Sequence, residues 1–181
     1  MNDNLKTKTR KTEVRVWIVE DHDLLRKTLV RLCVSASSLE CKQNFSNAET
    51  MLATLQNSPQ ETLPEVLLLD VGLPGRSGLD IIGEVLALAP DCRIVILTVF
   101  EDEKKIGAAI SAGACGYLVK TARPGDIVGA IHEAADGGSP MSPAVAARVV
   151  QLLAKLTKQT VMISLSPVSY THLTLPTTPY V

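Results

Sequence analysis

Residues 66–78 read V-L-L-L-D-V-G-L-P-G-R-S-G: four aliphatic residues run into a single carboxylate, Asp70, and then into a Gly/Pro cluster. An apolar run this short, closed by turn formers, predicts a strand buried on both faces, as strands are inside parallel sheets. Asp70 then stands at the carboxyl end of that strand, facing a loop. Ligands and chemistry collect at such ends in open α/β sheets, because the loops vary while the sheet holds them. A lone carboxylate does little, and its neighbours decide its chemistry.

Upstream, Val14–Val19 (V-R-V-W-I-V) is a β-branched run that stops at Glu20-Asp21-His22-Asp23, a concentrated acidic loop. From Asp23, a candidate cap, Leu24, Leu25, Leu29, Val30, Leu32 and Cys33 recur at helical spacing to about Ser35. Glu40–Phe45 is a weak strand, and Ser46-Asn47-Ala48-Glu49 has the form of a capping box opening a helix to about Gln56. Downstream, Leu79–Leu88 is helical and ends before Ala89-Pro90, and Arg93–Thr98 is a buried strand ending on a hydroxyl. A helix over Asp102–Ala112 is closed by Gly113, and a strand over Cys115–Lys120 ends on a lysine. Pro124 starts a helix through Ala135, stopped by Gly137-Gly138. Five β-α units in strict alternation predict an α/β fold: a doubly wound, five-stranded parallel sheet with helices on both faces.

With 46% hydrophobic but only 3% aromatic residues, the core must be built from Val, Leu, Ile and Ala. Lys+Arg 18 against Asp+Glu 19 leaves no global attraction to nucleic acid, so DNA binding would need a separate basic module. No apolar run reaches the roughly 18 residues of a membrane span, and the amino terminus lacks a signal-peptide core, which predicts a cytoplasmic protein without membrane partners. Cys33, Cys41, Cys92 and Cys115 are scattered without metal-ligand spacing and read as small buried hydrophobes.

The strand ends present Glu20 and Asp21, then Asp70, then Thr98, then Lys120, all at one edge of one sheet. Three converging carboxylates repel one another and raise their pKa values unless a cation intervenes. An oxygen-only, carboxylate-rich pocket suits a hard ion, Mg²⁺, which keeps waters that a phosphate can displace. Lys120 and Thr98 supply a mobile charge and a hydroxyl for phosphoryl oxygens, so the implied chemistry is phosphoryl transfer onto Asp70. A haloacid-dehalogenase-type phosphohydrolase would need a second Asp where Gly72 stands. A flavodoxin-like FMN site would need a phosphate loop where the acidic run lies, and no G-x-x-x-x-G-K-[ST] loop is present.

The order E-D, then D-x-x-x-P-x-x-x-G, then T, then G-Y-L-V-K resembles the receiver domain of two-component response regulators, over residues 13–137. The resemblance implies a flavodoxin-like, CheY-like fold in which Asp70 is the phosphoacceptor, served by a sensor histidine kinase. It implies that Asp21, Asp70 and the main-chain carbonyl of Gly72 ligate Mg²⁺, with Glu20 acting through water. Lys120 and Thr98 would grip the phosphoryl group, and Tyr117 would be the switch aromatic that turns inward when Thr98 moves. A phosphoryl group adds about −1.5 to −2 charge at Asp70, which draws Lys120 and Thr98 toward it and biases a two-state surface. Taking that surface from 1:99 to 99:1 demands about 5.5 kcal/mol of differential binding, so partial pre-population of the active arrangement is expected. The output is a conformational signal, not metabolic turnover.

Thr121, not proline, follows the lysine, and with G-L-P-G-R-S-G-L-D and the G-G-S-P-M-S-P run this resembles the NarL/FixJ, or LuxR-type, subfamily. Its members carry a helix-turn-helix DNA-binding domain after a linker, which implies transcription regulation and a possible phosphorylation-dependent homodimer. Residues 138–160 read as that linker, with a helix over Ala144–Leu156 carrying Val145, Val149, Leu152, Leu153 and Leu156. Residues 1–12 read as a disordered arm and 161–181 as an unstructured tail without a recognition helix. Val168–Thr177 resembles a translated sequencing-library adapter, which predicts a non-native end and a chain truncated before its output domain. The other expectation is a stand-alone receiver that signals by protein docking.

Overall fold

The computed structural model describes residues 13–100 and 102–164, with the side chains of the last helix as far as Lys155. Strands β1 (Val14–Val19), β2 (Leu39–Phe45), β3 (Val66–Leu69), β4 (Arg93–Thr98) and β5 (Gly116–Val119) alternate with helices α1 (Asp23–Ser35), α2 (Ala48–Asn57), α3 (Gly78–Leu88), α4 (Glu103–Ala112) and α5 (Pro124–Ala135). Helix α6 (Pro143–Ser164) follows. The sheet runs β2-β1-β3-β4-β5, and all four neighbouring pairs are parallel. The chain order turns back between β1 and β3, and the carboxyl ends of those two strands open a crevice there.

Alternation along each strand builds two cores. Trp17, Val19, Leu67, Leu69, Ile94, Ile96 and Tyr117 point to the side covered by α2, α3 and α4. Val16, Ile18, Val66, Leu68, Val95, Leu97 and Leu118 point to the side covered by α1 and α5. Each fully buried aliphatic side chain contributes about 1.5–3 kcal/mol, whereas exposed pairs such as Lys27–Asp23 and Lys42–Glu40 are screened by solvent and add little. The aliphatic core therefore holds the sheet edge on which Asp70 stands. Cys33 and Cys92 are buried, Cys41 and Cys115 are half-buried, and all four are free thiols.

Two helix starts differ from the sequence expectation. His22, not Asp23, caps α1: its Nδ1 accepts from the Leu25 amide at 3.2 Å, while Asp23 pairs with Arg26 and Lys27 one turn on. Asn47, not Ser46, caps α2 and accepts from the Thr50 amide at 2.9 Å. Glu49 is thereby released from a capping box and accepts from the Arg76 amide in the loop after β3, at 3.1 Å. Asn47→Ala is expected to lower stability by about 1 kcal/mol in urea unfolding, and Ser46→Ala by a few tenths at most. Equal losses would contradict this assignment.

The segment after α5 is stitched to the sheet. Arg93 Nη2 donates to the carbonyls of Gly137 and Gly138, at 3.2 and 2.9 Å. Met141 then forms a parallel bridge with Tyr117, whose amide donates to Pro140 O at 2.9 Å and whose carbonyl accepts from the Ser142 amide at 3.1 Å. Helix α6 also runs to Ser164, past the expected end at Leu156 and into the segment 161–181 expected to be unstructured. The reason is that no proline or glycine interrupts residues 144–166, so nothing stops the helix before Pro167 restricts the chain. The arm at 1–12 and the adapter-like stretch lie outside the described residues. Among the described residues, no helix is long and apolar enough to cross a membrane.

Candidate functional site

Asp70 directly follows β3 and is 4% exposed. Its amide donates to Val19 O at 3.0 Å, which ties it to the end of β1. Glu20, the residue after β1, is 1% exposed, and its own amide donates to Phe45 O at 3.0 Å. Asp21 is exposed beside it. One carboxylate oxygen from each of Glu20, Asp21 and Asp70 lies within 4.8 Å of the others, an all-oxygen cluster of the kind a cation can occupy.

Lys120 enters from β5, where its amide donates to Thr98 O at 2.9 Å. Its Nζ bridges Asp70 Oδ2 at 2.7 Å and Glu20 Oε2 at 2.8 Å. Burial pulls the Lys120 ammonium toward the neutral form, but hydrogen bonds to the two carboxylates outweigh this and leave its pKa raised. Burial pushes the Glu20 carboxyl up, with the Asp70 charge adding to it, against the opposing pull of Lys120. One ammonium thus shields two buried carboxylates and leaves the third outside the pair.

Asp70 Oδ1 is buried and, among the described residues, has no hydrogen-bond partner. A buried, unpartnered carboxylate oxygen is costly and points to a group that would satisfy it. The donor set around it, all oxygen and acidic, fits a hard divalent ion or an electrophilic phosphorus.

The loop after Asp70 folds back over it. A Cβ placed on Gly72 would lie 3.5 Å from Asp70 Oδ2 and 3.4 Å from Phe100 Cε2, so the partly exposed Phe100 ring sits beside Gly72 at the rim of the acid pocket. Lys105 Nζ sits 3.0 Å from the centroid of that ring, a cation–π contact. Phe100 escaped the sequence reading; its position two residues after Thr98, as one of only two phenylalanines, was the available signal.

Over residues 16–132 the chain matches the model of the response regulator receiver domain. The chain belongs to the response regulator receiver family. This receiver is 33% identical over 137 residues to the response regulator GacA of Pseudomonas protegens, covering 76% of this chain and 62% of GacA. It is 29% identical over 130 residues to the nitrate/nitrite response regulator NarL of Escherichia coli, covering 72% of this chain and 58% of NarL. The chain thus spans about three fifths of the length of these relatives. Among solved structures, a LuxR-family two-component response regulator from Aurantimonas superposes with a TM-score of 0.71 at 25% identity, covering 78% of this chain and 99% of that one. The five-stranded CheY-like fold of the family is the fold observed.

Of the residues singled out in the sequence, the receiver brings Glu20, Asp21, Asp70 and Lys120 into one pocket and folds Gly72 against it. Thr98 stands at the same sheet edge, fully buried, but its hydroxyl accepts from the Phe100 amide at 3.4 Å, and among the described residues it makes no hydrogen bond to Asp70. Tyr117, expected to turn inward only on switching, is already inward. It is completely buried, and its hydroxyl donates to Phe100 O at 2.8 Å.

Proposed function

We propose that this receiver accepts a phosphoryl group on Asp70 from the phosphohistidine of a sensor kinase and passes the event to an output as a change of conformation. The observation that carries the reading is the unpartnered Asp70 Oδ1 inside the Glu20, Asp21, Lys120 pocket. Lys120 holds Oδ2, so Oδ1 is the uncommitted oxygen that attacks phosphorus while the bond from phosphorus to the donor nitrogen breaks. Asp21, Asp70 and the Gly72 carbonyl would hold Mg²⁺, with Glu20 acting through water; bound there, the ion supplies charge neutralisation of the phosphoryl oxygens.

Lys120 would then exchange part of its hold on Asp70 for a phosphoryl oxygen, and the Thr98 hydroxyl would leave the Phe100 amide for another. Both moves act on the segment that accepts the Tyr117 hydroxyl, so the signal leaves through Phe100, α4 and β5. The reaction is self-catalysed phosphotransfer and hydrolysis, with no metabolic product. The output proposed is DNA-binding transcription regulation.

Incubation with acetyl phosphate and Mg²⁺, followed by intact-mass spectrometry, tests the reading. One added phosphoryl mass is expected with Mg²⁺ and at least about 10-fold less product with excess EDTA, given the several kcal/mol a bound ion supplies to phosphoryl transfer. Labelling unaffected by EDTA would contradict the metal assignment.

A further inference from the structure

Helix α6 packs against α4 and β5. Val145 of α6 is completely buried in the same core cluster as Tyr117 and Ile106. Leu152 meets α4 at Gly107, where an added Cβ would stand 3.2 Å from Leu152 Cδ2. A glycine in a helix interior weakens the helix, and here it lets α6 close on α4. Gly116 does the same for the linker, since a Cβ there would lie 2.8 Å from both Pro140 Cγ and Pro140 O. Lys155 Nζ reaches Glu103 Oε2, on the first residue of α4, at 2.5 Å.

From that end of α4 a short chain of contacts leads to the acceptor. Asp102 caps α4 by accepting from the Lys105 amide at 2.9 Å, and Lys105 Nζ lies over the Phe100 ring. The ring edge lies beside Gly72, two residues after Asp70, while the Phe100 carbonyl accepts from the Tyr117 hydroxyl. Whatever fixes α4 therefore fixes the aromatic ring at the rim of the pocket.

We propose that α6 is an intramolecular clamp: docked on α4, it holds Phe100 beside Gly72 at the rim of the Asp70 pocket and restricts entry of a phosphodonor. The proposal rests on the acceptor role of Asp70. It ties the linker to the chemistry as well as to the output, because a donor enters freely only when α6 lifts and α4 relaxes. The Lys155–Glu103 pair is solvent-exposed and screened, so the apolar seam of Val145, Val149 and Leu152 carries most of the docking.

The test uses Leu152→Asp together with Lys155→Glu, both on α6 and outside the acceptor pocket. Amide hydrogen exchange reports the docking, and the initial rate of phosphorylation by acetyl phosphate with Mg²⁺ reports the gate. Faster exchange in α6 and the first turn of α4, with at least a threefold rise in initial rate, is expected. The opposite variant joins Gly107→Cys to Leu152→Cys by a disulfide, located by peptide mapping, and must slow labelling at least threefold until a reductant is added. Release of α6 without a change in rate, or a formed lock without slowing, overturns the clamp. If the charged pair of substitutions fails to release α6 or to fold, the lock decides alone. Absence of phosphoryl mass in every variant overturns the acceptor reading instead; exchange over residues 98–100 and 102–106 then judges the clamp, and α6 release that leaves it unchanged overturns it.

Discussion

Gly78→Ala is expected to be among the most damaging single-methyl changes in this fold, and Gly83→Ala, five residues along the same helix, to be stabilising. A Cβ on Gly78 would lie 2.0 Å from the main-chain oxygen of Asp70, 2.9 Å from its carbonyl carbon and 3.2 Å from Leu69 Cγ. Those backbone atoms belong to the end of β3 and cannot step aside as a flexible side chain can. Helix α3 must therefore lift away from the sheet, and an overpacking cost of about 3 kcal/mol is expected, at the upper end of such changes. In a chain of this size each kcal/mol moves Tm by roughly 2–4 °C, so a fall of about 10 °C should be seen by circular dichroism. Nothing lies within 4 Å of a Cβ on Gly83, which is exposed in the helix interior, so alanine there gains about 0.5–1 kcal/mol. Similar melting points for the two variants would contradict the close approach of α3 to the acceptor strand. Because the clash falls on Asp70 itself, Gly78→Ala should also slow phosphorylation of whatever fraction folds.

Lys120→Met removes the cation shared by two buried carboxylates and is expected to affect both stability and chemistry. With Glu20 and Asp70 at 1% and 4% exposure, loss of the ammonium leaves like charges facing each other out of water. Breaking such a buried arrangement costs about 3 kcal/mol near neutral pH. Phosphorylation should fall by about 100-fold, the usual effect of deleting one donor to a developing oxyanion.

The pH dependence carries the sign. In the wild type the Lys120 pKa is raised above 10.5, so its stabilisation is complete below that value and is lost only as pH climbs through the raised one. In the variant, Glu20, already raised above 4.5 by burial and by Asp70, loses the Lys120 interactions that hold it down. The folded state then binds a proton more tightly than the unfolded state, so the deficit shrinks as pH falls through that raised carboxyl range. Mg²⁺ should restore part of the lost stability by standing in for the ammonium, and a deficit that grows on acidification would contradict the assignment.

Much of this site was legible because charge interrupts apolar runs at fixed places. Val66–Leu69 can only be a buried strand, and a buried strand that ends on Asp70 must present it at a sheet edge. Glu20 and Lys120 followed by the same reasoning, since parallel topology sends every strand's carboxyl end to one side. The helix starts were less legible: Ser46, Asn47, His22 and Asp23 are all competent caps, and the choice between neighbours depends on where tertiary contacts fix the chain. Glu49, for example, is drawn to the Arg76 amide, 27 residues away. Phe100 was invisible for a related reason, because the direction of a loop aromatic is set by α4 and Lys105. In α6 the sequence shows two apolar stripes of equal appearance. Val145, Val149 and Leu152 turn inward while Val150 and Leu153 stay 66% and 58% exposed, a choice made by tertiary contacts, the pairing of Met141 with Tyr117 and the notch at Gly107 among them.

Chemical location of the phosphoryl group decides whether Asp70 is the acceptor. The protein is labelled with acetyl phosphate and Mg²⁺, the acyl phosphate is reduced with borohydride, and the peptides are mapped by mass spectrometry. Conversion of Asp70 to homoserine is expected, with no homoserine at Asp21 and no 2-amino-5-hydroxypentanoic acid at Glu20, and Asp70→Asn should remove all labelling while keeping the fold. A reduced side chain at another position, or undiminished labelling of folded Asp70→Asn, would contradict this.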